Sequence, residues 1–309
     1  MVKLVNLVNK YQGPSTVNLA MSDSPQVAIF QDDELEQEII KKAEEKSLLR
    51  AEFPIMDFGQ AGSRIIEYPL KEGITAYRIG GTGSPTPMPF ARPSYTSIKG
   101  TIDMIAAKTA WNFIDLKLST IDILAEDIES VGQAIAIYEN EWLKTVVSGV
   151  TFTSGENYFA YADGSAMDWE DLANVIIEQE ASLDASAGNR KILWANKSTC
   201  KALMKSEYFL NKDWKTSDEN FPKKPLIQGQ YMGEINGLNM GVYLDLHGTT
   251  DIDYVIDTKV GIKAAQKMPI TIKRWEAVDG MEMGIIGYEM LNIMGIKANG
   301  VTKLVKSIT

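Results

Sequence analysis

Apolar residues recur three or four apart through the middle of the chain, at Ile121, Leu124, Ile128, Val131, Ile135, Tyr138, Trp142 and Val146. That spacing draws one continuous stripe and predicts a single helix over 118–148, with Gly149 as its stop. Asp122, Glu126, Asp127, Glu129 and Glu139 fall on its other faces. At 1.5 Å per residue such a helix is roughly 45 Å long, beyond the usual globular length and suited to a flat, extended subunit.

A second helix is expected over 32–50, in "DDELEQEIIKKAEEKSLLR". Asp32 or Asp33 can cap it, acids fill its first turn and bases gather at its end, the order the helix dipole favours. Its apolar set (Leu35, Ile39, Ile40, Leu48) is thin, which predicts a helix lying against a partner surface and not at the centre of a core. Residues 1–30 carry "GPS" and "DSP" breakers and read as an N-terminal arm.

Strand patterning appears in "RIIEYPLKEGITAY" and again in "YTSIKGTIDMIAAKTAW". Between them lies "YRIGGTGSPTPMPFARPSYTS", residues 77–97, with four prolines behind a glycine cluster. A phosphate loop would need its glycines to open a helix and to be followed by Lys and Ser or Thr, and prolines follow here instead. Stiffened by its prolines and bracketed by strands, the segment reads as the tip of a projecting arm. Arg78 and Arg92 are expected to pair with carboxylates on an adjacent subunit, and Pro87, Met88 and Phe90 to give apolar contact.

Downstream, Leu172, Val175 and Ile176 mark a helix capped by Asp168, "KILWAN" a short buried strand, and Ser198 the cap of another helix. From Gly229 onward "GLNMGVYLDL", "DYVIDT", "MPITIKRWEA" and "MGIIGYEMLNIMGIKA" predict strands separated by Gly, Asp and Asn turns.

Composition narrows the chemistry. The 309 residues carry a net charge of -10 with a single cysteine, Cys200, and a single histidine, His247. Disulfides within the chain and most imidazole-based sites are thereby excluded. Binding nucleic acid tightly along its length is disfavoured, because that needs clustered Lys and Arg. His247 reads as a solvated turn residue. Asp245, Asp251, Asp253 and Asp257 could hold a hard cation in principle, but their spacing fits no calcium loop and they read as solvated strand ends. Asp168, Glu170 and Asp171 are explained by a helix first turn. Met281, Met283, Met290 and Met294 read as adaptable packing, and "NKS" at Asn196 as a coincidental glycosylation match. The opening "MVKLVNLVNKYQG" has no signal-peptide core, and no membrane association is expected. No catalytic, cofactor-binding or metal-binding residue is expected.

The order of parts resembles the tailed-phage major capsid protein of the Hong Kong 97 type. The likeness is carried by "SIKGTIDMIAAKTAWNFIDLKLSTIDILAEDIESVGQAIAIYENEWLKTVVSG", by "NRKILWANKSTCKALMKSEYF" and by "GMEMGIIGYEMLNIMGIKANGVTKLV". It implies an α+β fold with an N-terminal arm over 1–64, an extension loop over 65–100 and a peripheral domain over 101–166 and 261–297. An axial domain would take 167–260 and 298–309. It further implies self-assembly into pentamers and hexamers of an icosahedral shell, in a virion assembled in a host cytoplasm. Such a shell encloses double-stranded DNA without sequence-specific binding, and it admits separate scaffolding, portal and decoration proteins. Lys71 and Lys99 flank the loop, but matching Gly295 to the family's glycine leaves no Asn and Glu where the prototype's crosslink needs them, so no covalent crosslinking is expected. Encapsulin-type nanocompartment shells share the fold and form the alternative reading. A soluble α/β enzyme acting through carboxylates is the alternative of another class.

Overall fold

The computed structural model describes residues 34–59, 64–71, 95–112, 123–161, 169–182, 189–205, 231–235, 238–246, 252–277 and 282–306. In chain order the elements are α1 (Glu34–Lys46), α2 (Leu48–Glu52), β1 (Ile55–Asp57), β2 (Ile65–Lys71), β3 (Tyr95–Thr101), β4 (Asp103–Asn112), α3 (Ile123–Ser148) and β5 (Tyr158–Tyr161). They continue as α4 (Trp169–Ser182), β6 (Lys191–Ala195), α5 (Lys197–Lys205), β7 (Tyr231–Ile235), β8 (Met240–Leu244), β9 (Ile252–Asp257), β10 (Ile262–Ala277), β11 (Glu282–Gly295) and β12 (Val301–Lys306).

Two sheets organise the molecule. A four-stranded sheet runs β1-β10-β11-β4, and a six-stranded sheet runs β5-β12-β9-β6-β8-β7. The long strands β10, β11 and β4 pair antiparallel. Ile285, Leu291 and Ile293 on β11 bury one face of this sheet into a core shared with Val131, Ile135, Leu143 and Val147 of α3. Along α3 the buried line is Val131, Ile135, Glu139, Leu143 and Val147, a run of steps of four. The expected stripe bends away from this line after Ile135. Tyr138 is exposed, Trp142 and Val146 are half-buried, and Glu139, expected on an outer face, is fully buried. The helix ends at Ser148, beside the expected stop; residues 118–122 lie outside the described set.

The expected helix over 32–50 is two helices with a break at Ser47, whose hydroxyl accepts from Arg50 N at 3.4 Å and caps α2. It also lies in the core of its own chain and not only on a surface, since Ile39 and Ala43 are fully buried with α3. Gly132 makes this possible, because a Cβ there would come within 2.6 Å of the Ile39 carbonyl oxygen. Close backbone approach thus compensates for a thin apolar face.

The central strands of the six-stranded sheet are buried on both faces. Leu193, Ala195, Val242 and Val255 pack under α4 and α5 with Leu172, Val175 and Leu203. Ile192, Trp194, Tyr243, Tyr254 and Ile256 point the other way and join the α3 core. The chain passes between the sheets at β9 to β10 and at β11 to β12, and the crossings touch: a Cβ on Gly261 would sit 2.4 Å from the Gly300 carbonyl oxygen. Among the described residues no helix is long and apolar enough to cross a membrane.

Candidate subunit interface

The ribbon of β2 and β3 is antiparallel, with Ile65 opposite Thr101 and Lys71 opposite Tyr95, so its far end opens toward residues 72–94. One face is bolted down. Ile66 and Tyr68 are buried with Ile102 and Ala265, and the Tyr68 hydroxyl donates to Asn292 Oδ1 at 3.3 Å. Asn292 Nδ2 in turn donates to the Thr101 carbonyl at 2.6 Å, and burial pushes the Tyr68 phenol up to about 12. On the other face Lys99 Nζ meets Glu67 Oε1 at 3.0 Å, both side chains more than half exposed. The expected contact residues Arg78, Pro87, Met88, Phe90 and Arg92 lie outside the described residues, as do the glycine cluster, His247, Asp168, Asp251 and Met281.

Beside the ribbon, where β4 begins, a groove of about 300 Å³ opens against the outer side of α3. Its walls are Met104, Ile105, Tyr138 and Trp142, and Asp103, Glu141 and Thr145 add polar groups. Met104 is 59% exposed and Tyr138 54%. Large apolar groups with acids beside them suit a segment carrying apolar and basic side chains. No local signal marks the groove, because Tyr138 falls on the expected apolar stripe and turns outward only as Glu139 is buried.

Three polar clusters, two of them buried, brace these surfaces. At the α1–α2 break, Arg50 Nε donates to Glu139 Oε1 at 2.8 Å and Arg50 Nη2 pairs with Glu289, while Ser47 Oγ donates to Glu139. Asn140 Oδ1 accepts from Leu48 N at 2.9 Å. Desolvation, with Glu139 next in effect, pushes the Glu289 carboxyl up to about 9. The sequence pattern hides this cluster because Arg50 and Glu289 are 239 positions apart.

The second cluster ties α2 to the six-stranded sheet. Arg190 grips Glu52 with two nitrogens, at 2.6 and 2.8 Å, and reaches Glu234 with a third at 2.8 Å; Tyr243 also donates to Glu52.

The third corrects two expectations. Asn196, not Ser198, caps α5, its Oδ1 accepting from Ser198 N at 2.8 Å and Thr199 N at 3.0 Å. The helix begins two residues earlier than the serine would require. The aspartates expected at solvated strand ends are buried wherever they are described. Asp253 accepts from Asn196 N at 2.6 Å and Thr199 Oγ1 at 2.7 Å, and desolvation pushes it up to about 6. Asp245 pairs with Lys144 of α3 at 2.9 Å. Asp257 accepts from Lys259 N and Val260 N, both at 2.9 Å, and shapes the turn into β10. Among the described residues no three such groups converge to hold a metal ion. Burial, with Asp253 adding, pushes the Cys200 thiol up to about 12, far from a reactive thiolate.

No protein-family model matches the sequence, and no curated protein matches it either. Solved structures do. The mature capsid of bacteriophage PhiM1 superposes with a TM-score of 0.55 at 15% identity, over 85% of this chain and 88% of its own. The chain has the Hong Kong 97-type fold. Two further structures align on the same fold. A virus-like particle from Pyrococcus furiosus aligns at 11% identity and TM-score 0.55, over 88% of this chain and 98% of its own. The capsid of a native GTA particle aligns at 13% identity and TM-score 0.55, over 86% and 91%. With so few shared residues, the Hong Kong 97-type likeness rests on the succession of elements and not on any motif.

Proposed function

We propose that this chain is the major capsid protein of a tailed double-stranded DNA virus, self-assembling into pentamers and hexamers of an icosahedral shell that encloses the genome. The observation that carries this reading is the fold, shared with capsid shells of phage origin over most of both chains. On this reading α3 and strands β4, β10 and β11 of the four-stranded sheet belong to a peripheral domain over 101–166 and 261–297, with β1 joining the sheet from the arm. Strands β6, β7, β8, β9 and β12 of the six-stranded sheet belong to an axial domain over 167–260 and 298–309, with β5 joining them from the peripheral range; residues 1–64 form the N-terminal arm, and 65–100 form the extension loop. The chain serves as a structural protein and not an enzyme. Its net charge of -10 suits a container that must not grip a packed polyanion. Scaffolding, portal and decoration proteins would be separate chains, with assembly in the host cytoplasm.

The interface follows from complementary chemistry. Arg78 and Arg92 would meet carboxylates of an adjacent subunit, and Pro87, Met88 and Phe90 its apolar groups. The groove supplies both kinds of group, in Asp103 and Glu141 and in Met104 and Tyr138. Deleting residues 80–92 should leave a folded subunit that assembles poorly, and normal shells from the deletion would refute the assignment. No covalent crosslinks are expected, and a ladder of oligomers on denaturing gels of assembled particles would overturn that.

An encapsulin-type nanocompartment shell enclosing a cargo enzyme is the second reading, and the virus-like particle from Pyrococcus furiosus shares the fold it would need. Negative-stain microscopy of the expressed full chain tests both, since closed isometric shells are expected and a dimer that never forms capsomers would sink both. Nuclease-protected DNA inside native particles supports the virus, whereas a nucleic-acid-free shell holding one co-purified protein supports the compartment.

A further inference from the structure

The α1–α2 break is held by one guanidinium between two carboxyl groups, and both carboxyl groups are fully buried. Their roles differ. Glu139 accepts from the Ser47 hydroxyl and from Arg50 Nε and Nη2, which is the coordination of an ionised carboxylate. Glu289 takes Arg50 on Oε2 and meets the Glu139 carboxyl, and among the described residues no donor reaches its Oε1. A charged oxygen left bare in a buried site costs far more than a neutral one, so this geometry favours a proton on Glu289. The charged groups acting on Glu289 are Glu139 from α3 and Arg50 from α2, and Glu44 from α1 acts on Arg50. Beside Glu289 on the neighbouring strands stand Ile105 of β4 and, across an irregular stretch of β10, Met268 and Thr271.

We infer that Ser47, Arg50, Glu139 and Glu289 form a proton-gated latch: α1 and α2 stay docked on α3 and β11 while Glu289 carries a proton, and they undock when it is lost. With both carboxyls ionised the cluster holds two negative charges against one positive in a largely buried site that screens the excess poorly, and the contact that gives way is the one between the α2 turn and β11. The sense of the pH dependence follows from the upward displacement of Glu289, from 4.5 to about 9. Docking is then strongest below about pH 4.5, weakens as the pH rises, and reaches its weakest level above about pH 9. This direction is alkaline release, opposite to what a salt-bridged carboxylate with a depressed proton affinity would give. The inference concerns the folded chain itself and does not depend on what the chain assembles into.

The test is amide hydrogen exchange on the full chain, read at Ala51 and Phe53, whose N–H groups bond to the Ser47 and Leu49 carbonyls. After division by the intrinsic exchange rate, the open-to-docked ratio of α1–α2 should rise up to about tenfold per pH unit between about pH 6 and about pH 8.5, as one proton per opening requires. Glu289→Gln reproduces the protonated shape and should hold the ratio flat over the same range. A flat wild-type profile, or a Glu289→Gln profile as steep as the wild type, overturns the latch. Should that variant fail to fold, isotope-edited infrared spectroscopy of the wild type decides. A protonated glutamate carboxyl present at pH 8 and gone by about pH 10 is expected, and its absence at pH 8 refutes the inference.

Discussion

The two sheets bury themselves differently. The four-stranded sheet sets one face on α3, and the β2–β3 ribbon covers only part of the other, leaving it open along β4, so β4 alternates exposed Met104, Ala106 and Lys108 with buried or half-buried Ile105, Ala107 and Thr109. The six-stranded sheet has helices on one face and the first sheet's core on the other, so "KILWA" is buried at every position. One-sided burial writes an alternating pattern and two-sided burial a continuous apolar run. In the second case each strand serves two cores at once: on β6, Leu193 points under α4 and α5 while its neighbour Trp194 points into the core around α3. The halves are therefore coupled through adjacent side chains of single strands.

Substitutions can break that coupling selectively. The largest effect is expected at Trp194: Trp194→Ala should cost about 4 kcal/mol and split the calorimetric unfolding into two transitions, because it empties the shared core. Leu193→Ala, costing about 3 kcal/mol on the other side of the same strand, should keep a single transition. If both variants melt identically, the halves are not coupled in this way. A smaller effect is expected at Gly132, where helix propensity alone predicts a gain of about 1 kcal/mol from Ala. The approach to the Ile39 carbonyl makes Gly132→Ala a net loss of about 2 kcal/mol, visible in the denaturant midpoint with unchanged slope. The smallest is expected at the exposed Glu67–Lys99 pair: Lys99→Ala should move stability by less than about 0.5 kcal/mol, which sets the scale for a surface pair against the buried clusters.

How much could be read beforehand tracks the range of the interactions. The long helix, the strand pairs around residues 65–101 and the β-rich end are local patterns, and α3 stops at Ser148, next to the expected glycine. The errors fall where a distant partner decides. Glu139 looks like a solvent-facing acid until Ser47 and Arg50, some 90 positions upstream, supply its hydrogen bonds. Asp253 looks like a strand-end acid until Asn196 and Thr199 enclose it. Ser198 is a good cap by composition, but Asn196 reaches two backbone N–H groups first. The groove was hidden for a related reason: with Glu139 on the buried line, Tyr138 turns outward, and nothing local to α3 announces that rotation.

Strand β12 lies inside the six-stranded sheet, between β5 and β9, although it is the last strand along the described chain. Strand β5, more than 130 residues earlier, pairs with β12 and with no other named strand. During synthesis β5 therefore cannot find its β12 partner until the residues between them have been made, and this side of the sheet closes late. A product terminated before β12 lacks this inserted strand and leaves β5 and β9 with bare edges, the feature that invites wrong pairing.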